Sequence, residues 1–176
     1  RAGDEAAALY SQNRALEFTL FLTFPAAAAL FVIAGPVVTV LFERGEFTAE
    51  DASATARALA IYATGLPAYV LVKGLTPGFF ARGDTATPVK IGLFAVAVNL
   101  LLNVILMGPL LHAGIAAATS FSAWLNAALL AIVLHRRGHF AVDAGLKTRV
   151  PRIVIASALM GVALLAGLLQ METLLT

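Results

Sequence analysis

The sequence predicts an all-α polytopic transmembrane helix bundle of about five spans, and three observations carry that prediction. Hydrophobic residues fill 60% of the 176 positions and charged residues only 12%, with a mean hydropathy of +0.90. A water-soluble domain places charge at about a quarter of its positions, so most of this surface faces something other than water. Five apolar runs, each near the ~20 residues that cross a hydrocarbon core, follow one another with short polar breaks. The basic residues gather in alternate breaks, so a pI near 9.3 reads as membrane topology and no nucleic-acid partner is expected. The chain has no cysteine, which excludes disulfides, thiolate metal sites and cysteine nucleophiles.

The first span covers residues 15–42, interrupted only by Glu17 near its start. Pro25 predicts a kink and Gly35-Pro36 a looser far end. A polar stretch, 43–51, follows with Gly45 as its turn. Thr48 and Asp51 have the spacing of a capping box, so a helix is expected to begin at about Ala49 and to enter the membrane near Arg57. The second span, 58–80, contains Gly65, Pro67, Gly74 and Pro77, with Lys73 inside its apolar stretch. Irregular backbone at membrane depth is tolerated only where protein or a water-filled cavity surrounds it. This span is therefore the expected cavity wall.

In the turn 82–88, Thr87 is placed to cap the next helix, with Pro88 as its first residue. The third span covers 89–110 and ends near Gly108-Pro109. His112 and Gly114 mark a tight reversal into the fourth span, 115–134. A basic segment, 135–152, precedes the fifth span, 153–169, which is short but free of charge.

Five antiparallel spans place the N-terminus, the 82–90 turn and the 135–152 segment on one side. That side holds nine of the twelve basic residues: Arg1, Arg14, Arg82, Lys90, Arg136, Arg137, Lys147, Arg149 and Arg152. Arg44 and Arg57 lie on the other side. Nine against two predicts a cytoplasmic N-terminus. The opening, Arg1-Ala2-Gly3-Asp4-Glu5, has neither Met nor the basic start of a secretory leader, and it predicts a piece of a longer chain.

Ionisable and strongly polar residues within spans are the functional candidates. Lys73 has two readings: a positive charge offered to an anionic substrate in a cavity, or a side chain snorkelling to the nearby cytoplasmic surface. Glu17 is expected at the interface. Asn99 and Asn103 are four residues apart and share a helix face. With Thr119 across the hairpin they are either oxygen ligands for a small cation or partners in interhelical hydrogen bonds. Asn126, beside Trp124, reads as packing. His112, His135 and His139 fall in loops without metal-site spacing. The sequence has no phosphate-cradling glycine loop, zinc motif or catalytic triad, so an enzyme is not expected.

The stretch Leu41-Phe42-Glu43-Arg44-Gly45-Glu46-Phe47-Thr48-Ala49-Glu50-Asp51 and the segment Ala58 to Leu66 strongly resemble the MurJ/MviN family. So do Lys73 to Lys90, Gly108 to Gly114, and Leu125-Asn126-Ala127, in order and almost without gaps. Its members are bacterial lipid II flippases of the multidrug/oligosaccharidyl-lipid/polysaccharide exporter superfamily. The resemblance implies part of the C-terminal lobe of a fourteen-helix exporter fold, from helix nine to helix thirteen. It implies alternating access that moves a lipid-linked peptidoglycan precursor, lipid II, outward across the bacterial inner membrane for cell wall biosynthesis. Its implied partners are lipid II, membrane lipids and the N-terminal lobe of the same chain. Lys73 and Arg82 become the candidate cations of the substrate cavity.

The family's main cavity arginines lie on helices outside this chain. A sodium ion is the one candidate cofactor that the resemblance brings, on Asn99, Asn103, Thr119 and the carbonyl of Ile115. The members with such a site resemble this chain except that they place Asp where it has Asn103, and loss of that carboxylate weakens a cation site. The alternatives are an exporter of another lipid-linked saccharide, a drug or cation antiporter of the same superfamily, and a non-transporting membrane scaffold. A scaffold needs neither the broken second span nor Lys73.

Overall fold

The computed structural model describes residues 2–175 as five helices joined by short loops. Arg1, counted above among the basic residues, lies outside the described residues. The helices are α1 (Ala2–Phe42), α2 (Ala49–Ala63), α3 (Leu66–Phe80), α4 (Ala86–Arg136) and α5 (Ala144–Leu175). Four stretches are long and apolar enough to cross a membrane: 6–42, 49–80, 86–136 and 144–171. The third of these is itself a hairpin. Fifty-one residues of straight helix would extend roughly 75 Å, yet the loops at its two ends touch. Arg137 Nη1 donates to Asp84 Oδ2 at 2.5 Å and Nη2 to Thr87 Oγ1 at 3.1 Å. The fold-back occurs at Leu111, whose backbone (φ 51°, ψ −128°) leaves the helical region. The bundle therefore has five passes, two of them the 86–110 and 112–136 arms of α4.

Local sequence chemistry accounts for the breaks. Thr48 and Asp51 form the reciprocal capping box: Asp51 N donates to Thr48 Oγ1 at 3.3 Å and Thr48 N to Asp51 Oδ2 at 3.0 Å. The second pass breaks between α2 and α3 at Thr64-Gly65, just before Pro67. A broken helix exposes carbonyls that lipid cannot satisfy. Side chains of the second α4 arm serve two of them, as Ser120 Oγ donates to Ile61 O at 2.9 Å and Trp124 Nε1 to Thr64 O at 3.0 Å. A Cβ on Gly65 would sit 2.9 Å from Ser120 Oγ, so glycine is what lets that arm approach.

One expectation needs correction, and two others gain detail. Thr87 does not cap α4, which begins one residue earlier; Asp84 Oδ1 accepts from Thr87 N at 2.9 Å instead. Thr87 and then the Arg137 guanidinium hold the Asp84 carboxyl well below the usual carboxylate range. The basic segment 135–152 is part loop and part helix. Helix α5 begins at Ala144, so Lys147, Arg149 and Arg152 lie on it, and its 32 residues reach well past the expected 153–169. Finally, α1 starts about three and a half turns before residue 15, and Pro25 and Pro36 both lie within it.

Packing concentrates near the end of the bundle that holds the basic loops. Leu16, Leu75, Phe79, Leu130, Leu134 and Phe140 form one buried cluster from α1, α3, α4 and the loop after it. Small residues, Ala68, Ala123 and Ala127, bring α3 and the second α4 arm together. Elsewhere the apolar side chains point outward: Leu93, Leu100, Leu101 and Val104 on the first α4 arm are each more than 60% exposed. A surface so apolar is stable only against lipid or other protein.

Candidate functional site

Asn99, Asn103, Ile115 and Thr119 come together between the two arms of α4. Asn103 Nδ2 donates to Asn99 Oδ1 at 3.0 Å, Asn99 Nδ2 to Thr119 Oγ1 at 3.3 Å, and Thr119 Oγ1 to Ile115 O at 2.8 Å. The i, i+4 spacing on each arm makes this line, which ties the hairpin closed. Of the two readings open for these residues, hydrogen bonding between helices describes the geometry. Asn103 Oδ1 is buried and has no hydrogen-bond partner among the described residues.

For a sodium ion the cluster offers no anionic ligand. Its oxygens are all neutral, and both amide nitrogens point into the line rather than away from it. Among the described residues no group of three or more His, Asp or Glu stands together to supply charge.

Beside this line lies a cavity of about 220 Å³, walled by Tyr69 of α3, Asn99 of the first α4 arm and Thr119, Ser122 and Asn126 of the second. Ser122 Oγ and Asn126 Oδ1 are buried and unpartnered, like Asn103 Oδ1. Buried polar atoms left unpaired cost about 1–3 kcal/mol each, so the two on the cavity wall, from Ser122 and Asn126, mark a surface suited to a polar partner. Sequence reasoning assigned Asn126 to packing and passed over Tyr69 and Ser122. Spacing offered one signal: Asn126 lies four residues after Ser122, and Asn103 four after Asn99.

The two candidate cations are not gathered at this cavity. Lys73 is exposed, one turn beyond Tyr69 on the same face of α3. Arg82 is exposed at the α3–α4 turn, where its Nη1 donates to Gly78 O at 2.9 Å. The side chains of Tyr69 and Lys73 thus continue one polar edge from the cavity toward the basic end of the bundle.

That end carries a second polar feature. Glu17 accepts from Arg14 through Oε2 and from Arg149 Nη1 through Oε1 at 2.6 Å. Arg14 Nη2 also donates to Asp143 Oδ2 at 2.6 Å. Asp143 in turn accepts from Leu146 N at 2.6 Å, and this bond, with Arg14, holds its carboxyl below the usual range against the opposing effect of burial. Glu17, expected at the membrane interface, is the joint between α1 and α5.

The comparisons agree with the fold. A sequence profile described as "Lipid II flippase MurJ" matches residues 1–174. A probable lipid II flippase MurJ of Rhizobium meliloti (strain 1021) is 51% identical over 164 residues, which cover 93% of this chain and 31% of that protein. One of Rickettsia prowazekii (strain Madrid E) is 38% identical over 162 residues, covering 92% of this chain and 32% of its own length. A solved structure of lipid II flippase MurJ in an inward closed conformation superposes with a TM-score of 0.76 at 26% identity, covering 88% of this chain and 32% of that one. The chain thus spans about a third of the length of the relatives it matches. It is a multi-pass helical membrane protein, and it belongs to the lipid II flippase MurJ family.

Proposed function

We propose that this chain forms part of the C-terminal lobe of a lipid II flippase in the bacterial inner membrane, with its N-terminus cytoplasmic. The observation that carries this reading is the polar edge of α3 and α4. Tyr69, Ser122 and Asn126 face a cavity with unpaired oxygens, and Lys73 follows one turn along. In an otherwise apolar bundle, that edge is where the remaining lobe of a longer chain would enclose a hydrated path for a charged head group. Such a path avoids the cost of taking pyrophosphate and sugar into hydrocarbon. Alternating access then needs two lobes rocking about this edge, with Lys73 offering charge to the anionic head group and Arg82 near the cytoplasmic mouth.

The test is complementation. A longer protein carrying this segment, expressed in cells depleted of their own flippase, is expected to restore lipid II exposure at the outer face. Well-inserted protein that restores none would refute the reading. The 176-residue chain alone, in vesicles, is expected to show no flipping.

For the ion, we propose that the Asn99–Asn103–Thr119 line operates without bound sodium, because it lacks an anionic ligand. Asn103→Asp supplies one. The variant is expected to gain sodium-dependent thermal stability, about 2.7 kcal/mol at a hundredfold excess over its Kd, where the parent gains none. Equal sodium stabilisation of the parent would overturn this.

A further inference from the structure

We propose that the basic end of the α1–α5 interface is a binding site for the phosphate head group of an anionic phospholipid. This rests on features separate from the polar edge and holds whatever the protein transports.

The two helices run parallel there. Glu17 meets Arg149 at one level, and further along Gly161 packs against Ala28 and Val32. Along both helices charge comes first and apolar side chains follow: Arg14 and Glu17 before Phe18 and Phe21 on α1, Arg149 and Arg152 before Ile153 on α5. These residues wall a cleft of about 490 Å³. Phe18 and Phe21 are 64% and 57% exposed along it. The cleft therefore has a charged mouth and an apolar floor, the two parts of an amphiphile.

The sign of the mouth follows from its ion pairs. Both oxygens of Glu17 are committed, one to Arg14 and one to Arg149, and Asp143 is held by Arg14. Three arginines against two carboxylates leave one positive charge. That charge falls to Arg152, which is exposed and makes no hydrogen bond or ion pair with the described residues. Arginine's planar fork is suited to phosphate oxygens, and basic pockets between helices at the membrane surface take acidic head groups. A free phosphate would use the mouth and leave the floor unmatched. A phospholipid uses both.

The experiment measures lipids retained by the purified protein, by native mass spectrometry after exchange into mixed micelles of phosphatidylglycerol and phosphatidylcholine. The parent is expected to retain phosphatidylglycerol in preference. Arg152→Gln is expected to weaken that retention about fivefold, the ratio equivalent to about 1 kcal/mol per surface cation. Lys147→Gln removes an exposed cation from the same helix outside the cleft, and it is expected to leave retention unchanged. Equal retention of the two lipids, an unaffected Arg152→Gln, or an equal loss in Lys147→Gln would each overturn the proposal. Displacement by soluble glycerol phosphate would also overturn it, in favour of a phosphate site without lipid. Arg152 has no hydrogen-bond or ion-pair partner among the described residues, so its variant keeps the fold, and circular dichroism checks that.

Discussion

Gly114→Ala is expected to destabilise the protein by about 3 kcal/mol or more, at or beyond the upper end of ordinary overpacking. A Cβ at position 114 would overlap the carbonyl oxygen of Leu106 and stand 2.6 Å from its carbonyl carbon. Those are backbone atoms of the other α4 arm, and no rotamer change moves them aside. The arms must separate, and the Asn99–Thr119 bond, already 3.3 Å long, is broken with them. Leu111→Gly acts on the same turn with the opposite sign. Leu111 holds φ 51° and ψ −128°, close to the first central position of a type II′ turn, where glycine is favoured and a branched side chain is strained. Relief of that strain is expected to stabilise by about 1 kcal/mol. Thermal unfolding in detergent, followed by fluorescence of Trp124, measures both. A Gly114→Ala variant that unfolds with the parent would mean that the arms are not in contact at Leu106.

How much of this was legible in the sequence depended on whether the physics was local. Apolar runs reveal spans because bilayer thickness fixes their length, and the Thr48–Asp51 box is set by residues three apart. The break at Gly65-Pro67 was visible because glycine weakens a helix interior and proline suits the first turn of a new helix. The turn at Leu111 was not visible, since leucine is among the last residues expected at positive φ; spacing pointed to His112 and Gly114 instead. The Asn99–Asn103–Thr119 line was half legible, as four-residue spacing gives the shared face but cannot choose between a cation and a hydrogen bond. For Ser122 the only signal was its four-residue spacing from Asn126, which gives a shared face and no more. Membrane serines usually bond back to their own helix, and only the tertiary arrangement leaves this one unpaired. The Arg14–Glu17–Arg149–Asp143 network joins residues about 130 positions apart, so no local pattern could announce it.

The same long-range logic makes Asn13→Leu the second large effect. Asn13 is 2% exposed and its amide is fully used. Nδ2 donates to Leu9 O and to Ala141 O, both at 2.9 Å, while Oδ1 accepts from Asp143 N at 3.3 Å. The loop between α4 and α5 has few other backbone partners at this point, so one side chain holds it against α1. Leucine has similar bulk and keeps the site filled, which isolates the polar loss. It leaves the Ala141 carbonyl and the Asp143 amide without that partner, at about 1–3 kcal/mol each. Partial rehydration of an exposed Ala141 reduces the sum, and the expected destabilisation is about 2–4 kcal/mol. Release of the loop also frees Asp143, which weakens its hold on Arg14 and so the joint at Glu17. A cysteine placed at Val142 is then expected to react faster with a water-soluble maleimide in the Asn13→Leu background. Unchanged labelling together with a lowered unfolding temperature would assign the loss to α1 alone, and would remove the loop from the account of how α5 is held.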